Sequence, residues 1–411
     1  MRSSHYGRIL ALPDPARRTS RPRGRGRHLR AQDARLTQEQ AADLAAISVS
    51  LLRKIEQGRR SLTPDVEQAL SAVLGPIGQA HSSAAHAHIT NALPVLREVM
   101  DCYDMPADMP PRSLAEPHAA VTQATTLRLG SRYTELAAQI PGLISELTTA
   151  ALTSSGHAQL KAYRLLALAY RAADAIADKH GCHDLSARAI ELTRWAAARS
   201  ADPEMDIMAA YVRAELFFGG SRAREGLRVI DSAAGKIPAD RCVTRLALYG
   251  ALQMRASVLA ARAGLPDEAA QRMTEARAAA SHVPDGVYYG TAFGPSSVHI
   301  HQLAAAVEGN RIGNAVQLAS RWEPPRSLPA ERSSHFYIEA ARAYRLAGQS
   351  ERAVTALISA RNTAAQHARS NPAVAQTVNA IIRTSQRPSR ALLGLAAWLG
   401  GPTSCNTQGV S

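Results

Sequence analysis

From about residue 126 to residue 400, amphipathic segments follow one another and are broken only by Gly, Pro or Asp-Pro. Apolar residues recur in these segments at every third or fourth position, as they do on one face of an α-helix. No segment keeps the strict alternation of apolar and polar residues that a half-buried strand requires. The sequence therefore predicts an all-α fold with essentially no sheet.

Three stretches of this region, 250–280, 298–322 and 334–365, share a pattern of two helices joined by a short turn. In the last stretch Ala341 and Tyr344 precede a turn at Gly348, and Ala353 and Leu357 follow it. The pattern places the turns of the first two stretches at Gly264 and Gly309. This order of small and large residues resembles the tetratricopeptide repeat (TPR), although the spacing between the stretches is irregular. The resemblance implies an α-solenoid of helix pairs with a concave surface, and residues 157–199 and 205–235 look like further pairs.

The concave surface of such a solenoid is expected to bind a peptide, a small molecule or a second copy of the chain. The aromatic residues either line this surface or belong to the ordinary core. They are Trp195, Tyr211, Phe217, Phe218, Tyr288, Tyr289 and Trp322.

Composition divides the chain into five parts. Residues 1–27 are rich in Arg, Pro and Gly and are predicted to be a disordered basic arm, while residues 28–80 form a run of short helices. Residues 81–125 are predicted to be a linker with one helix at about 89–103, because the proline-rich stretch DMPADMPPRSLAEP follows that helix. The helical domain at 126–400 and a disordered tail at 401–411 come after the linker.

Positive charge is concentrated near the N-terminus. Residues 1–63 contain 14 Arg and Lys against 5 Asp and Glu, which is +9 of the chain's net +14. Such a concentration is typical of a segment that binds a polyanion, and it also occurs in solvated basic tails without a specific partner.

Residues 36–75 contain the signals of three short helices. Thr37 and Gln40 form a capping box that predicts a helix from Gln38. After a three-residue turn, Ser48 suits the N-cap of a second helix that buries Leu52 and Ile55. The second helix is predicted to end at Gly58, and a third helix is predicted to begin at Thr63-Pro64-Asp65. The outward face of the second helix carries cations and short polar side chains: Val49, Ser50, Arg53, Lys54 and Gln57.

This segment resembles the helix-turn-helix of the XRE (Cro/lambda-repressor-type) family. The residues that match the family pattern are Leu36, Thr37, Gln38, Ala42, Ile47, Ser48, Leu52, Ile55, Glu56 and Gly58, and Ala46 stands where the pattern has Gly. The resemblance implies binding to double-stranded DNA, with the second helix in the major groove.

The resemblance also assigns roles to single residues. Gln38 is expected to touch the DNA backbone, while Ser48, Val49, Ser50 and Lys54 face the bases. Arg53 is expected near a phosphate or a base, and Arg59 and Arg60 at phosphates.

These features predict a cytoplasmic transcriptional regulator, homodimeric because one short helix reads few base pairs, with a peptide or small-molecule effector on the helical domain. The alternative is a TPR-like interaction scaffold whose N-terminal module does not bind DNA specifically. A third interpretation is a nonspecific nucleic-acid binder that depends on the basic arm.

The sequence gives no indication of catalysis. It lacks the motifs of phosphate loops, dinucleotide sites, serine hydrolases and zinc proteases, so neither an enzyme nor a cofactor is expected. His180, Cys182 and His183 are predicted to lie in a turn between helices, because their spacing is not that of a zinc finger.

The sequence also indicates where the protein is found. No apolar run is long enough to span a bilayer, and the first residues lack the apolar core of a secretory signal. The dispersed cysteines indicate a reducing cytoplasm.

Overall fold

The computed structural model describes residues 42, 45, 47–56, 66, 77–106, 114–218, 222–240 and 242–400. The predicted arm at 1–27 and the predicted tail at 401–411 lie outside these residues. The chain divides into two compact units, Met1–His86 and Ala87–Ser411.

In the first unit, helix α1 covers Val49–Glu56, which is the second of the three predicted helices. Ala42 and Val66 are also helical, in agreement with the first and third. The capping box at Thr37 and Gln40 and the stop at Gly58 fall outside the described residues.

The described part of the second unit is a succession of helices, which confirms the all-α prediction. The helices are α2 (Ile77–Asp101, which begins ahead of the division), α3 (Ala115–Leu129), α4 (Tyr133–Thr153), α5 (Gly156–Lys179), α6 (His183–Arg199), α7 (Pro203–Arg213), α8 (Ala223–Ala234), α9 (Val243–Arg262), α10 (Pro266–Ala280), α11 (Pro295–Glu308), α12 (Ile312–Ser320), α13 (Ala330–Leu346), α14 (Ser350–Thr363), α15 (Ala365–Ser370), α16 (Pro372–Thr384) and α17 (Arg390–Leu399). A short 3₁₀ helix, Ala214–Phe217, follows α7.

The segment 81–125, predicted as a linker with one helix, contains more helix than the sequence indicated. The helix expected at about 89–103 begins earlier and continues through Pro94, and α3 starts ahead of residue 126. Leu96, Met100 and Val121 are buried in the core of the second unit, so this stretch is largely packed helix.

One turn geometry recurs between neighbouring helices. An N–H group bonds to the carbonyl oxygen five residues earlier, and the residue before the donor has a positive φ, as at a Schellman C-cap. The donors and acceptors are Arg132 and Leu127, Cys182 and Ala177, Leu265 and Ala260, Arg311 and Ala306, and Gln349 and Tyr344, at 2.8 to 2.9 Å. Gly264 and Gly348 have the positive φ expected of turn glycines, whereas Asn310 and not Gly309 adopts it in the stretch 298–322.

A short hairpin forms the only strands among the described residues. Strand β1 (Gly286–Tyr288) pairs antiparallel with β2 (Thr291–Phe293) between α10 and α11. The hairpin lies against α9, where the ring of Phe293 is buried. It is the one departure from the expectation of essentially no sheet.

The second unit has two apolar cores. One extends from α2 to α11, and the other from α11 to α17. Distant parts of the unit also meet, because α13 contacts α3 and the backbone N–H of Thr134 donates to Oε1 of Gln366 at 3.1 Å. Among the residues that the structure describes, no helix has both the length and the apolar character needed to cross a bilayer.

Candidate functional site

Helix α1 begins at the residue that the sequence predicted as its cap. The side-chain Oγ of Ser48 accepts a hydrogen bond from the N–H of Leu51 at 3.1 Å, and its carbonyl oxygen accepts from the N–H of Leu52 at 3.0 Å. These bonds satisfy backbone donors of the first turn of a helix that is too short to be stable alone. The preceding turn is closed by the N–H of Ile47, which donates to the carbonyl of Ala42 at 2.9 Å.

The two sides of α1 differ in burial. Leu52 is 1% exposed, and Ala42 and Ala45 of the preceding segment are also buried. Ser48, Ser50, Arg53 and Lys54 are exposed, and Val49 is half-buried. The buried residues fix the orientation of the helix in the small bundle, so its polar side faces solvent.

The structure therefore brings five of the eight predicted DNA-contacting residues onto one helix and its cap. They are Ser48, Val49, Ser50, Arg53 and Lys54. Gln38, Arg59 and Arg60 lie outside the described residues, as does the side chain of Ile55, which was predicted to be buried.

The chemistry of this surface suits a polyanion. The first turn of α1 contains no acidic residue, and Arg53 and Lys54 are in its last turn. Cations with exposed hydroxyls beside them can hold phosphates and donate to base edges, and an α-helix fits the major groove.

Residues 26–76 match a family model described as a helix-turn-helix domain. The chain carries a helix-turn-helix module. In this helix-turn-helix, α1 occupies the place of the second helix of the pair, and Ser48 ends the turn before it. The matched residues all lie in the first unit, so the family model does not cover the helical second unit. No curated protein and no solved structure matches the chain with significance.

The second unit contains a cavity that sequence reasoning did not predict. Its walls carry buried ionisable side chains, among them Arg171, Asp174, Arg255, His301 and Glu331. The residues of the wall come from separate helices with no fixed spacing, so no motif connects them. One local feature of the sequence could have indicated the cavity. The charged residues Arg171 and Asp174 interrupt a stretch of α5 whose other residues are largely apolar and buried.

Several ionisable groups on this cavity have displaced pKa values. Burial and the negative charge of Glu215 raise the pKa of Asp174 to about 8. Burial and the positive charge of Arg332 lower the pKa of His301 to about 3, so its imidazole is neutral. Burial alone would raise the pKa of Glu331, but Arg332 and His367 hold it well below its ordinary value.

Three of the aromatic residues that the sequence offered as lining or core residues have defined surroundings. Trp195 packs edge-on against Tyr103 and Tyr163, with ring centroids 5.0 and 5.6 Å apart. Trp322 packs against Phe336 at 5.0 Å. Phe218, by contrast, lies on the wall of the cavity.

His180 and Cys182 lie in the turn between α5 and α6, as predicted, and His183 is the first residue of α6. The N–H of Cys182 closes this turn by donating to the carbonyl of Ala177 at 2.9 Å. Nδ1 of His180 lies 2.8 Å from the carbonyl oxygen of Ile176.

Proposed function

We propose that this protein is a sequence-specific DNA-binding transcriptional regulator of the XRE type without catalytic activity of its own. In this proposal the helix-turn-helix binds DNA, and the second unit is a TPR-like sensor that receives a small molecule, a peptide or a protein.

One observation carries the proposal. Within a segment that matches a helix-turn-helix, α1 is capped by Ser48, anchored by Leu52, and exposes Ser50, Arg53 and Lys54. A helix held on one side and covered with hydroxyls and cations on the other is suited to enter a major groove.

The sensor role of the second unit is supported by its helix pairs. In α13 and α14, Ala341, Ala353 and Leu357 are buried, at positions where the repeat pattern places them. Gly348 has a φ of +75° in the turn. Stacked pairs of this kind present a concave face to a ligand.

A homodimer follows from the size of the recognition element. A single short helix reads only a few base pairs, and two copies on half-sites one helical turn apart multiply the discrimination. We propose that the operator has two-fold symmetry for this reason.

The test is selection of genomic DNA fragments by the purified protein at about 0.15 M salt, where purely electrostatic binding is weak. The double charge reversal Arg53→Glu/Lys54→Glu is compared with Arg321→Glu/Arg326→Glu, which makes the same change at exposed positions of the second unit. The proposal expects a short enriched motif, lost in the first variant and kept in the second.

Two outcomes contradict the proposal. Even coverage of the genome without a motif would exclude sequence-specific binding, and would favour the alternative of a TPR-like interaction scaffold. Equal loss of binding in both double variants would show that total charge, and not the surface of α1, governs the interaction.

A further inference from the structure

The cavity of the second unit has a volume of about 320 Å³ and receives side chains from α3, α5, α9, α11 and α13. This volume falls in the range of sites that take small molecules. Part of the wall is apolar and is formed by Ala175, Phe218, Val258 and Ala304. The rest consists of polar and ionisable side chains, which an organic molecule with an ionised group would complement.

Four of the six cations on the wall have a carboxylate partner. The pairs are Lys179 with Asp178 (2.9 Å), Arg255 with Glu215 (2.7 Å), Arg262 with Glu308 (3.1 Å) and Arg332 with Glu331 (2.5 Å). The remaining two, Arg128 and Arg171, have no carboxylate within 4 Å among the described residues.

Arg128 and Arg171 converge on the hairpin instead. Nη1 of Arg171 donates to the carbonyl of Tyr289 at 2.9 Å and to Oγ1 of Thr291 at 2.8 Å, and Nη2 of Arg128 donates to the carbonyl of Gly290. A Cβ atom built on Gly290 would lie 3.3 Å from Nη1 of Arg171 and 3.8 Å from Nη2 of Arg128. The two guanidinium groups are therefore neighbours.

These bonds leave N–H donors of each guanidinium without a hydrogen-bond partner in the protein, although the guanidinium of Arg171 also lies 5.7 Å from the ring centroid of Tyr211. An Arg side chain has five N–H donors, and within the described residues Nε and Nη2 of Arg171 and Nε and Nη1 of Arg128 donate to no protein atom. Arg171 is only 6% exposed. Burial and the nearby charge of Arg128 lower the pKa of Arg171 to about 9, so it is still charged at neutral pH. Arg171 is buried and Arg128 half-buried, and two adjacent positive charges without a carboxylate in direct contact are costly, so an anion would relieve the cost.

We propose that the cavity binds a small organic anion whose carboxylate or phosphate group lies between Arg171 and Arg128. Arg donors match both oxyanions in geometry, and they often hold them through paired hydrogen bonds. The apolar wall around Phe218 takes the organic part of the ligand. The identification of this anion as an effector rests on the proposed function, whereas its binding to the cavity does not.

The test is the melting temperature of the full chain against increasing inorganic phosphate, citrate or chloride at matched ionic strength. Binding predicts a melting temperature that starts to rise near Kd and then increases with the logarithm of the phosphate or citrate concentration, by about 2–4 °C at tenfold excess over Kd, with no such rise in chloride. A response to phosphate alone assigns the site to phosphorylated ligands, and a response to citrate alone assigns it to carboxylates.

Ala175 offers a variant that does not break the hairpin bonds. It lines the cavity one helical turn after Arg171, so Ala175→Glu places a carboxylate beside the guanidinium. We expect a higher melting temperature without added anion and loss of the logarithmic response to it. Ala175→Gln has nearly the same size without the charge, and should give no such rise.

The proposal is overturned if neither anion gives this logarithmic rise. It is also overturned if Ala175→Glu responds to the anion as strongly as the parent chain does, because the response then arises elsewhere. Phosphate and citrate also stabilise proteins without binding, but that effect grows in proportion to their concentration and would be equal in all variants.

The same titration on Arg53→Glu/Lys54→Glu separates the two proposals. That variant should keep the anion response, because its changes lie in the first unit. Anion binding without operator binding would contradict the regulator and leave the cavity site intact, and the reverse result would contradict the cavity site alone.

Discussion

The ring of Phe293 occupies the space above Gly250, where a Cβ atom would lie 2.1 Å from Cζ of the ring. Gly250→Ala should therefore force the hairpin away from α9, although alanine favours a helix more than glycine does. We expect a loss of about 1–3 kcal/mol in the free energy of unfolding, measured by chemical denaturation.

Gly142 provides the matched control, because it also lies inside a helix but a Cβ atom added to it would meet no other atom within 4 Å. Gly142→Ala should stabilise the protein by about 0.5–1 kcal/mol. A similar effect of both substitutions would contradict the close approach of Phe293.

Substitutions of Ser48 and Ser50 can distinguish a role in capping α1 from a role on its exposed surface. Ser48→Ala removes the acceptor for the N–H of Leu51, and should cost about 1 kcal/mol in the stability of the first unit. Ser50→Ala changes an exposed position of the same helix, so hydrogen exchange of the α1 amides should respond to the first substitution only. Faster exchange in both variants would show that Ser48 has no special role as a cap.

A buried hydroxyl connects α9 and α10. Oγ of Ser257 donates to the carbonyl of Ala269 at 2.6 Å, and Ser257 is 1% exposed. Ser257→Ala should lower the free energy of unfolding by about 0.5–1.5 kcal/mol. In the reference variant Ser281→Ala, the lost bond is local and exposed, so denaturation should show a smaller change.

Asp174 predicts a pH dependence of stability. Its pKa in the folded chain is about 8, above the ordinary value of 3.8. Between these values the folded state keeps a proton that the unfolded chain releases, so the free energy of unfolding falls as pH rises, by at most about 1.4 kcal/mol per unit. Asp174→Asn keeps an acceptor for Ser186 and removes this dependence.

Denaturation at pH 5 and pH 7 tests this prediction. The stability of Asp174→Asn relative to the parent should increase by about 1–3 kcal/mol between the two values. Asp267→Asn makes the same chemical change at an exposed position and serves as the reference. An equal pH response of the parent and Asp174→Asn would contradict the raised pKa.

The sequence was sufficient for the features that depend on local chemistry. The cap at Ser48, the burial of Leu52 and the turns at Gly264 and Gly348 follow from short-range rules, and the structure confirms them. Local rules could not decide between Gly309 and Asn310, since both residue types tolerate a positive φ.

Features that depend on distant contacts were not predictable. The three-residue strands of the hairpin are too short to show alternation, and they are held by Arg128 and Arg171 from helices far back in the chain. The cavity likewise arises from helices that meet only in the folded unit. The proline-rich stretch after residue 103 suggested a linker. Helices α2 and α3 on its two sides nevertheless pack into the core of the second unit.

In an open stack of helix pairs, each pair depends only on its neighbours, so the ends can fray one pair at a time. Here Thr134 bonds to Gln366, and Arg128 and Arg171 bond to the hairpin, across separations of 118 to 232 residues. These bonds tie early helices to late ones. The described helices of the second unit should therefore melt together as one cooperative body, without unzipping from an end.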